Sequence, residues 1–308
     1  MDLTALRQLE NIMREPEMLE LSEQYLTEKM SAFVRRGEKV MVCFGPAKEQ
    51  NIADLIVKAA QNLGAIPVLP DGDFRWKSML MTAFRSRATV IAAPPFVVLG
   101  LTKLARYTKT PLYFRNVLTA GYRCTNWMVE GIQRGLDCRV WRCFGPGSVL
   151  VGGFSCAHSD SPHVRDEVFE FDMVDDDSNP VPNGESGYIV LTPKCEPSFH
   201  YHTLERARLD YSPCPCGSAA PKLIDLKSGS DVDPMQEQLG RELMSWTSIL
   251  DCKFRKGECG FEMELVVFPG EKLPKLPTCA KQIVRGWDPE KDTPFWFLPH
   301  WRNTNENS

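Results

Sequence analysis

Several features are missing from this 308-residue chain, and each absence closes off a class of function. No apolar run is long enough to cross a bilayer. The longest, residues 88–101, is broken by Pro94 and Pro95, whereas a spanning helix needs ~20 residues. No basic leader precedes an apolar segment; residues 1–20 carry charges throughout and read as an amphipathic helix. No long basic run is present and the net charge is −4, which argues against nucleic acid as a partner. Nor is there an internal repeat. Gly145-Pro146-Gly147 and Gly152-Gly153 are too short for a dinucleotide fingerprint. Asp175-Asp176-Asp177 lacks calcium-loop spacing and reads as a solvated loop. No Ser-His-Asp order has supporting context. The expectation is a cytoplasmic protein that binds neither membrane nor nucleic acid.

Cysteine, by contrast, is plentiful. There are 11, an odd number, in a chain too large to need a disulfide framework and without a secretion signal. Buried thiols or metal ligation are the expected uses. Cys43, Cys138, Cys143 and Cys252 lie in apolar or alternating runs and read as small buried hydrophobes. Cys214-Pro215-Cys216-Gly217 is different. It places two thiols two residues apart in a turn dictated by Pro213, Pro215 and Gly217. A structural zinc takes four tetrahedral Cys or His ligands. The other two would come from Cys156 with either His158 or His163, and spacing alone leaves that choice open, as it does the alternative of an uncoordinated or redox-active thiol pair.

Periodicity divides the chain. Residues 3–34 read as helices interrupted at Pro16. Strands are expected at 39–44, 65–69, 88–93, 116–120 and 138–144, with helices at 51–63, 76–84, 97–107 and 125–135 between them. This alternation implies an α/β fold with a mostly parallel sheet and helical crossovers. After residue 145 short alternating segments, as at 168–174 and 187–192, imply an antiparallel β region. A polar stretch at 227–233 reads as a hinge. Residues 234–285 give a small α+β lobe, with a helix at 235–245 and strands at 249–255 and 261–268. The segment 286–308 is aromatic-rich and is expected to wrap onto the body before fraying.

Further residues carry a resemblance. Phe144-Gly145, Cys156, Pro162-His163-Val164, the run from Pro180 through Asn183-Gly184-Glu185 to Thr192, Tyr201-His202-Thr203 and Cys214-Pro215-Cys216-Gly217 together resemble the phenylacetate–coenzyme A ligase-like branch of the adenylate-forming (AMP-binding) superfamily. The likeness is good over 38–233 and weak over 234–285. It implies a zinc on Cys156, His163, Cys214 and Cys216, selecting His163 over His158. It implies a large domain at 1–233, with an α/β core at 1–148 and a zinc-bearing β region at 149–233. It also implies ATP, AMP and coenzyme A as ligands and acid–coenzyme A ligation as the ancestral activity.

The family's working parts are eroded, however. No Ser/Thr/Gly-rich phosphate loop is present, as if the chain began downstream of it. Tyr122 stands at an acidic position of the family, and Ser148 at the Glu that helps hold Mg²⁺. Glu205 stands at the ribose-binding Asp; with Tyr201 and Thr203 it marks a remnant nucleotide site. Ser228-Gly229-Ser230-Asp231-Val232 lacks the hinge Arg. Cys279 stands at the adenylation lysine, with Lys281 two residues on. Such electrostatic parts often contribute ~3 kcal/mol each to lowering the barrier. The expected function is therefore binding rather than adenylation, of a small acyl or aromatic ligand or of a protein partner such as a second copy or a full-length ligase homologue. The alternative is a cleft reused for new chemistry by Glu205, His202 or Cys124. His200 and His202 read as strand histidines, and neither Cys124 nor Cys279 has an activating neighbour in sequence.

Overall fold

The computed structural model describes residues 3–45, 51–72, 74–121, 124–146, 149–228, 234–257, 260–273 and 281–294. The chain opens with α1 (Leu3–Met13) and α2 (Pro16–Met30). Pro16 ends the first helix and occupies the first turn of the second, where its missing N–H is no loss. Then β1 (Lys39–Val42), α3 (Ile52–Asn62), β2 (Ile66–Val68), α4 (Trp76–Ser86), β3 (Val90–Ala93), α5 (Pro95–Thr108), β4 (Asn116–Thr119), α6 (Asn126–Leu136) and β5 (Arg139–Phe144) alternate as the periodicity requires. Helix α3 is started by a capping box in which Asn51 and Asp54 each accept a backbone N–H.

Five strands pair in parallel, in the order β2-β1-β3-β4-β5. Their side chains alternate between two cores. Val40, Val42, Val90 and Ala92 face one, while Met41, Cys43, Ile91 and Ala93 face the other. Both faces are covered, which is why these strands read as continuous apolar runs. The first core lies under α1–α3; the second lies under α4–α6. Gly100 of α5 admits the Trp76 ring so closely that a Cβ there would stand 2.1 Å from it.

The sheet continues past β5 with its polarity reversed. Strands β6 (Gly153–Cys156), β7 (Ser159–Val164), β8 (Phe169–Val174), β9 (Gly187–Pro193), β10 (Tyr201–Asp210) and β11 (Lys222–Ser228) extend it antiparallel in the order β6-β7-β11-β10-β9-β8. Arg165 fastens this region to α2. It is 1% exposed, stacks over the Tyr25 ring and donates to Ser22 Oγ at 2.9 Å and to Glu167.

The small lobe contains α7 (Pro234–Ser245), β12 (Ile249–Gly257), β13 (Gly260–Val267) and a further strand, β14 (Lys281–Gly286), which pairs parallel to β13. That third strand is absent from the sequence reading because Lys281, Gln282 and Arg285 break its apolar pattern, and most of it is exposed. The lobe packs on α5. Met244, Leu250, Val266 and Phe268 join the second core, and Tyr107 stacks on Phe268 at 4.3 Å. Lys103 is buried beneath it and donates to the Ile249 carbonyl at 2.8 Å; burial lowers its pKa to about 8. Beyond β14, Trp287 packs against the second core and the Asp292 carbonyl accepts the Trp76 N–H. Residues 295–308, most of the hinge segment 227–233, and Tyr122, Ser148 and Cys279 lie outside the described residues. Among the described residues no helix is long and apolar enough to cross a membrane.

Candidate metal centre and cleft

The turn between β10 and β11 brings Cys214 and Cys216 against the β6–β7 hairpin. Gly217, at φ +82°, completes that turn, and its N–H bonds the Cys214 carbonyl. Cys156 ends β6 and His163 lies within β7, whose Val164 N–H bonds the Pro221 carbonyl at the start of β11. The four donor atoms of Cys156, His163, Cys214 and Cys216 all lie within 4.8 Å of one another, the single cluster of this kind among the described residues.

The distances suit one tetrahedral ion. Zinc–sulfur bonds of ~2.3 Å and zinc–nitrogen bonds of ~2.0 Å set tetrahedral edges of roughly 3.5–3.8 Å. Cys156 Sγ stands 3.6 Å from Cys214 Sγ, and Cys216 Sγ stands 3.4 Å from His163 Nε2. His163 Nδ1 lies 2.7 Å from the Ala220 carbonyl, which can only accept. Nδ1 therefore carries the proton and Nε2 presents its lone pair to the thiols. The His158 ring stands outside the cluster; only its backbone N–H reaches Cys156 Sγ, at 3.4 Å.

Surrounding groups support the thiolate form. The Cys216 N–H, above all, draws the Cys214 thiol down to about 6. Burial pushes Cys156 up to about 11, so the metal-free cluster holds its first negative charge on Cys214. Lys222, paired with Asp210 at 2.9 Å, adds a cation beside the thiols. Arg139 lies over the Trp141 ring and donates to the carbonyls of Cys156 at 3.0 Å and Ala157 at 2.7 Å, tying the hairpin to β5.

A second constellation lies at the carboxyl end of β5. Cys124, Arg142, Phe144, Gly145, Pro162 and Glu205 line a cavity of about 10 Å³, roughly the room of one water. Of the residues expected at a remnant nucleotide site, Glu205 lines this cavity, carried there by an irregularity in β10 between His202 and Arg206. Tyr201 is 1% exposed within the first core. The Thr203 hydroxyl is engaged locally, accepting the Glu205 N–H at 3.1 Å. Burial raises the Cys124 thiol, which therefore stays protonated at neutral pH. His202 is exposed, and His200 bonds Thr192 Oγ1 at 2.8 Å. Arg142 escaped the sequence reading. Its signal was a cation in the middle of a strand that is buried from Val140 to Phe144.

No protein-family model matches the chain, and no curated protein matches it. Solved structures do. A 2-hydroxyisobutyryl-CoA ligase in the postadenylation state, in complex with R3-HIB-AMP, superposes with TM-score 0.68 at 13% identity over 91% of this chain and 68% of its own. The anthranilate CoA ligase AuaEII, in complex with anthranoyl-AMP, gives 0.56 at 12% over 86% and 59%. A benzoate CoA ligase from Burkholderia xenovorans LB400 gives 0.54 at 11% over 86% and 62%. The chain thus has the fold of adenylate-forming acyl-CoA ligases and spans about three fifths to two thirds of their length.

Proposed function

We propose that this chain is a zinc-stabilised binding protein on an acyl-CoA-ligase-like fold, of the phenylacetate–coenzyme A ligase-like branch, acting in the cytoplasm without adenylating on its own. The observation that carries the absence of adenylation is the cavity. Where the Glu205 and Gly145 positions meet, the space is about 10 Å³, far less than the ~300–1,000 Å³ of an ordinary ligand site. Residue types agree: Ser148 and Cys279 replace a metal-binding carboxylate and a lysine in the resemblance. Cys156, His163, Cys214 and Cys216 would hold zinc as a closed four-ligand site. Such a site has no open position for catalysis and contributes to folding.

Reuse of the cleft for nucleophilic chemistry gains no support, since burial holds the Cys124 thiol protonated. The ligand proposed is a small acyl or aromatic molecule, for which the cavity at the end of β5 would have to widen. The protein partner proposed is a second copy or a ligase homologue; edge strand β2 leaves Ile66 49% and the adjoining Leu69 56% exposed, as an interface would. The test is pyrophosphate exchange from ATP across a panel of acyl and aromatic acids, alongside elemental analysis. The expected result is no exchange above background and about one zinc per chain. Acid-dependent exchange by the purified chain overturns the reading.

A further inference from the structure

The cysteine–histidine cluster is open to solvent on one side. Cys216 is exposed and Cys156 half-buried, while Cys214 and His163 are buried. The other described thiols differ. Burial holds Cys43, Cys124, Cys138, Cys143 and Cys252 protonated at neutral pH, and a protonated thiol is a poor nucleophile. Cys195 is exposed, but it lies on the turn after β9 and outside the cluster. Among the described residues, a small oxidant in solvent therefore meets reactive sulfurs in a group only at the cluster.

Two of these sulfurs are placed to bond. Cys156 Sγ and Cys214 Sγ are 3.6 Å apart, so a disulfide of ~2.05 Å needs them to close by ~1.5 Å. Cys214 and Cys216 would instead have to bridge across Pro215, whose ring fixes the backbone between them. The segments that carry Cys156 and Cys214 are joined by a short pairing: His163 is in register with Lys222, and the Val164 N–H bonds the Pro221 carbonyl. A bridge between two cysteines 58 positions apart keeps those segments fastened once a metal has left. We propose that the cluster is an oxidation-sensitive site, at which a peroxide converts the Cys156 and Cys214 thiolates into a disulfide and so releases the zinc. Cys156, the more exposed of the two, attacks hydrogen peroxide; the O–O bond breaks, the sulfur becomes a sulfenic acid and hydroxide leaves. The Cys214 thiolate then attacks the Cys156 sulfur, the S–S bond forms and a second hydroxide leaves. Each sulfur gives up one electron, the peroxide takes both, and two protons from solvent turn the hydroxides into water. This deepens the zinc reading of the cluster, and rests on it for the metal that leaves but not for the pair of sulfurs.

The test is a titration of the full chain with hydrogen peroxide after reductant has been removed. Released zinc is read with a chromogenic chelator, and bridges are located by mass mapping of unreduced peptides. The expected result is about one zinc released per Cys156–Cys214 bridge formed, reversed by dithiothreitol with added zinc and unchanged in Cys195→Ser. A variant of a zinc ligand loses the metal by itself, so Cys216→Ser, which keeps both sulfurs of the pair, is read by mass alone; the bridge should form there too. Zinc release accompanied by a Cys214–Cys216 bridge, or by sulfinic acids without a bridge, overturns the pair. Zinc and free thiols retained at a peroxide dose that fully oxidises Cys195 overturn the proposal. A chain that carries no zinc as purified yet forms the bridge overturns the zinc reading and leaves the oxidation site standing. A chain that carries none and forms no bridge overturns both.

Discussion

Two polar constellations, both reached from β5, β7 and the β10–β11 pair, have opposite characters. In the cysteine–histidine cluster each donor has a neighbour at 3.4–3.6 Å, and the second nitrogen of His163 is fixed by Ala220. Near the end of β5, the buried Arg142 Nε, beside the cavity, and Thr125 Oγ1, at the start of α6, have none. The thiols follow suit. Cys214 is drawn down by the Cys216 N–H, whereas Cys124 is raised by burial. A cluster whose members satisfy one another stabilises the fold directly. A cavity whose members are unsatisfied destabilises it until something else enters. The first is a self-satisfied cluster; the second leaves buried polar atoms without partners.

The most severe test of this contrast removes a cluster thiol. Cys214→Ser should lose the proposed zinc and destabilise the chain by ~4 kcal/mol, since metal binding is coupled to folding. Elemental analysis and chemical denaturation read both quantities. Zinc retained in Cys214→Ser, or lost with no change in stability, would place the cluster in the same class as the cavity.

Glycine substitutions sharpen the comparison at smaller scale. A Cβ at Gly153 would stand 2.6 Å from the His163 carbonyl oxygen, and one at Gly145 would stand 2.2 Å from that of Leu150. Both contacts are to backbone, so the chain must move. Each alanine variant should lose ~2 kcal/mol. Only Gly153→Ala, which displaces a ligand-bearing strand, should also weaken zinc binding in a chelator competition. Equal zinc affinity in the two variants would show that β7 does not set the geometry of the centre.

The same contrast governs what could be read before the structure. The parallel half of the sheet was legible because both of its faces are buried, leaving apolar runs such as Lys39–Val42 and Val90–Ala93 between amphipathic helices. Strand β14 was not, because Lys281, Gln282 and Arg285 are tolerated at an exposed edge. Cys214 and Cys216 announced themselves through spacing, and the resemblance chose His163. Spacing could not, since His158 is as near in sequence and its backbone even touches Cys156. Arg142 carries no motif, and Thr125 only closes an eroded one, Ala120 to Thr125. Their significance is a missing partner, which only three dimensions reveal. Arg165 and Lys103 were hidden likewise, each a cation inside a segment that reads as apolar or alternating.

A pH profile of the metal-free protein separates the two regions more gently. The Cys214 thiol falls from an ordinary 9.0 to about 6 in the folded chain. Its contribution to stability is therefore full above pH 9, declines below it and is gone below about pH 6. Cys156, raised to about 11, acts in the other direction: its contribution is present below pH 9 and lost as pH rises toward 11. Buried Cys143, raised to about 12, adds to that alkaline loss. With chelator present, melting temperature should rise from pH 6 to 9 and fall beyond. Cys214→Ser should abolish the rise while Cys124→Ser leaves it. A flat profile between pH 6 and 9 would mean that Cys214 is not held as a thiolate.

The smallest expected effect concerns Arg139, which touches no donor atom of the cluster. Its guanidinium bonds the carbonyls of Cys156 and Ala157 and lies over the Trp141 ring, 4.7 Å from its centroid. It thus fixes the hairpin end that presents the Cys156 thiol, and its charge offsets part of the net −1 of a zinc with three thiolates and one imidazole. Supporting groups of this kind typically change metal affinity ~10–100-fold. Arg139→Gln keeps a donor for one carbonyl but loses the charge and the stacking, so the expected change is at the low end, ~10-fold weaker zinc. Arg139→Lys keeps the charge but not the planar pair of bonds. If Lys restores the affinity, the charge is what matters; if it does not, the geometry of the hairpin is. Either result leaves the cavity untouched, because Arg142 is held on a different partner, Asn126. An Arg139 variant whose stability loss failed to add to that of Arg142→Gln would show that the two constellations are coupled through β5 rather than separate.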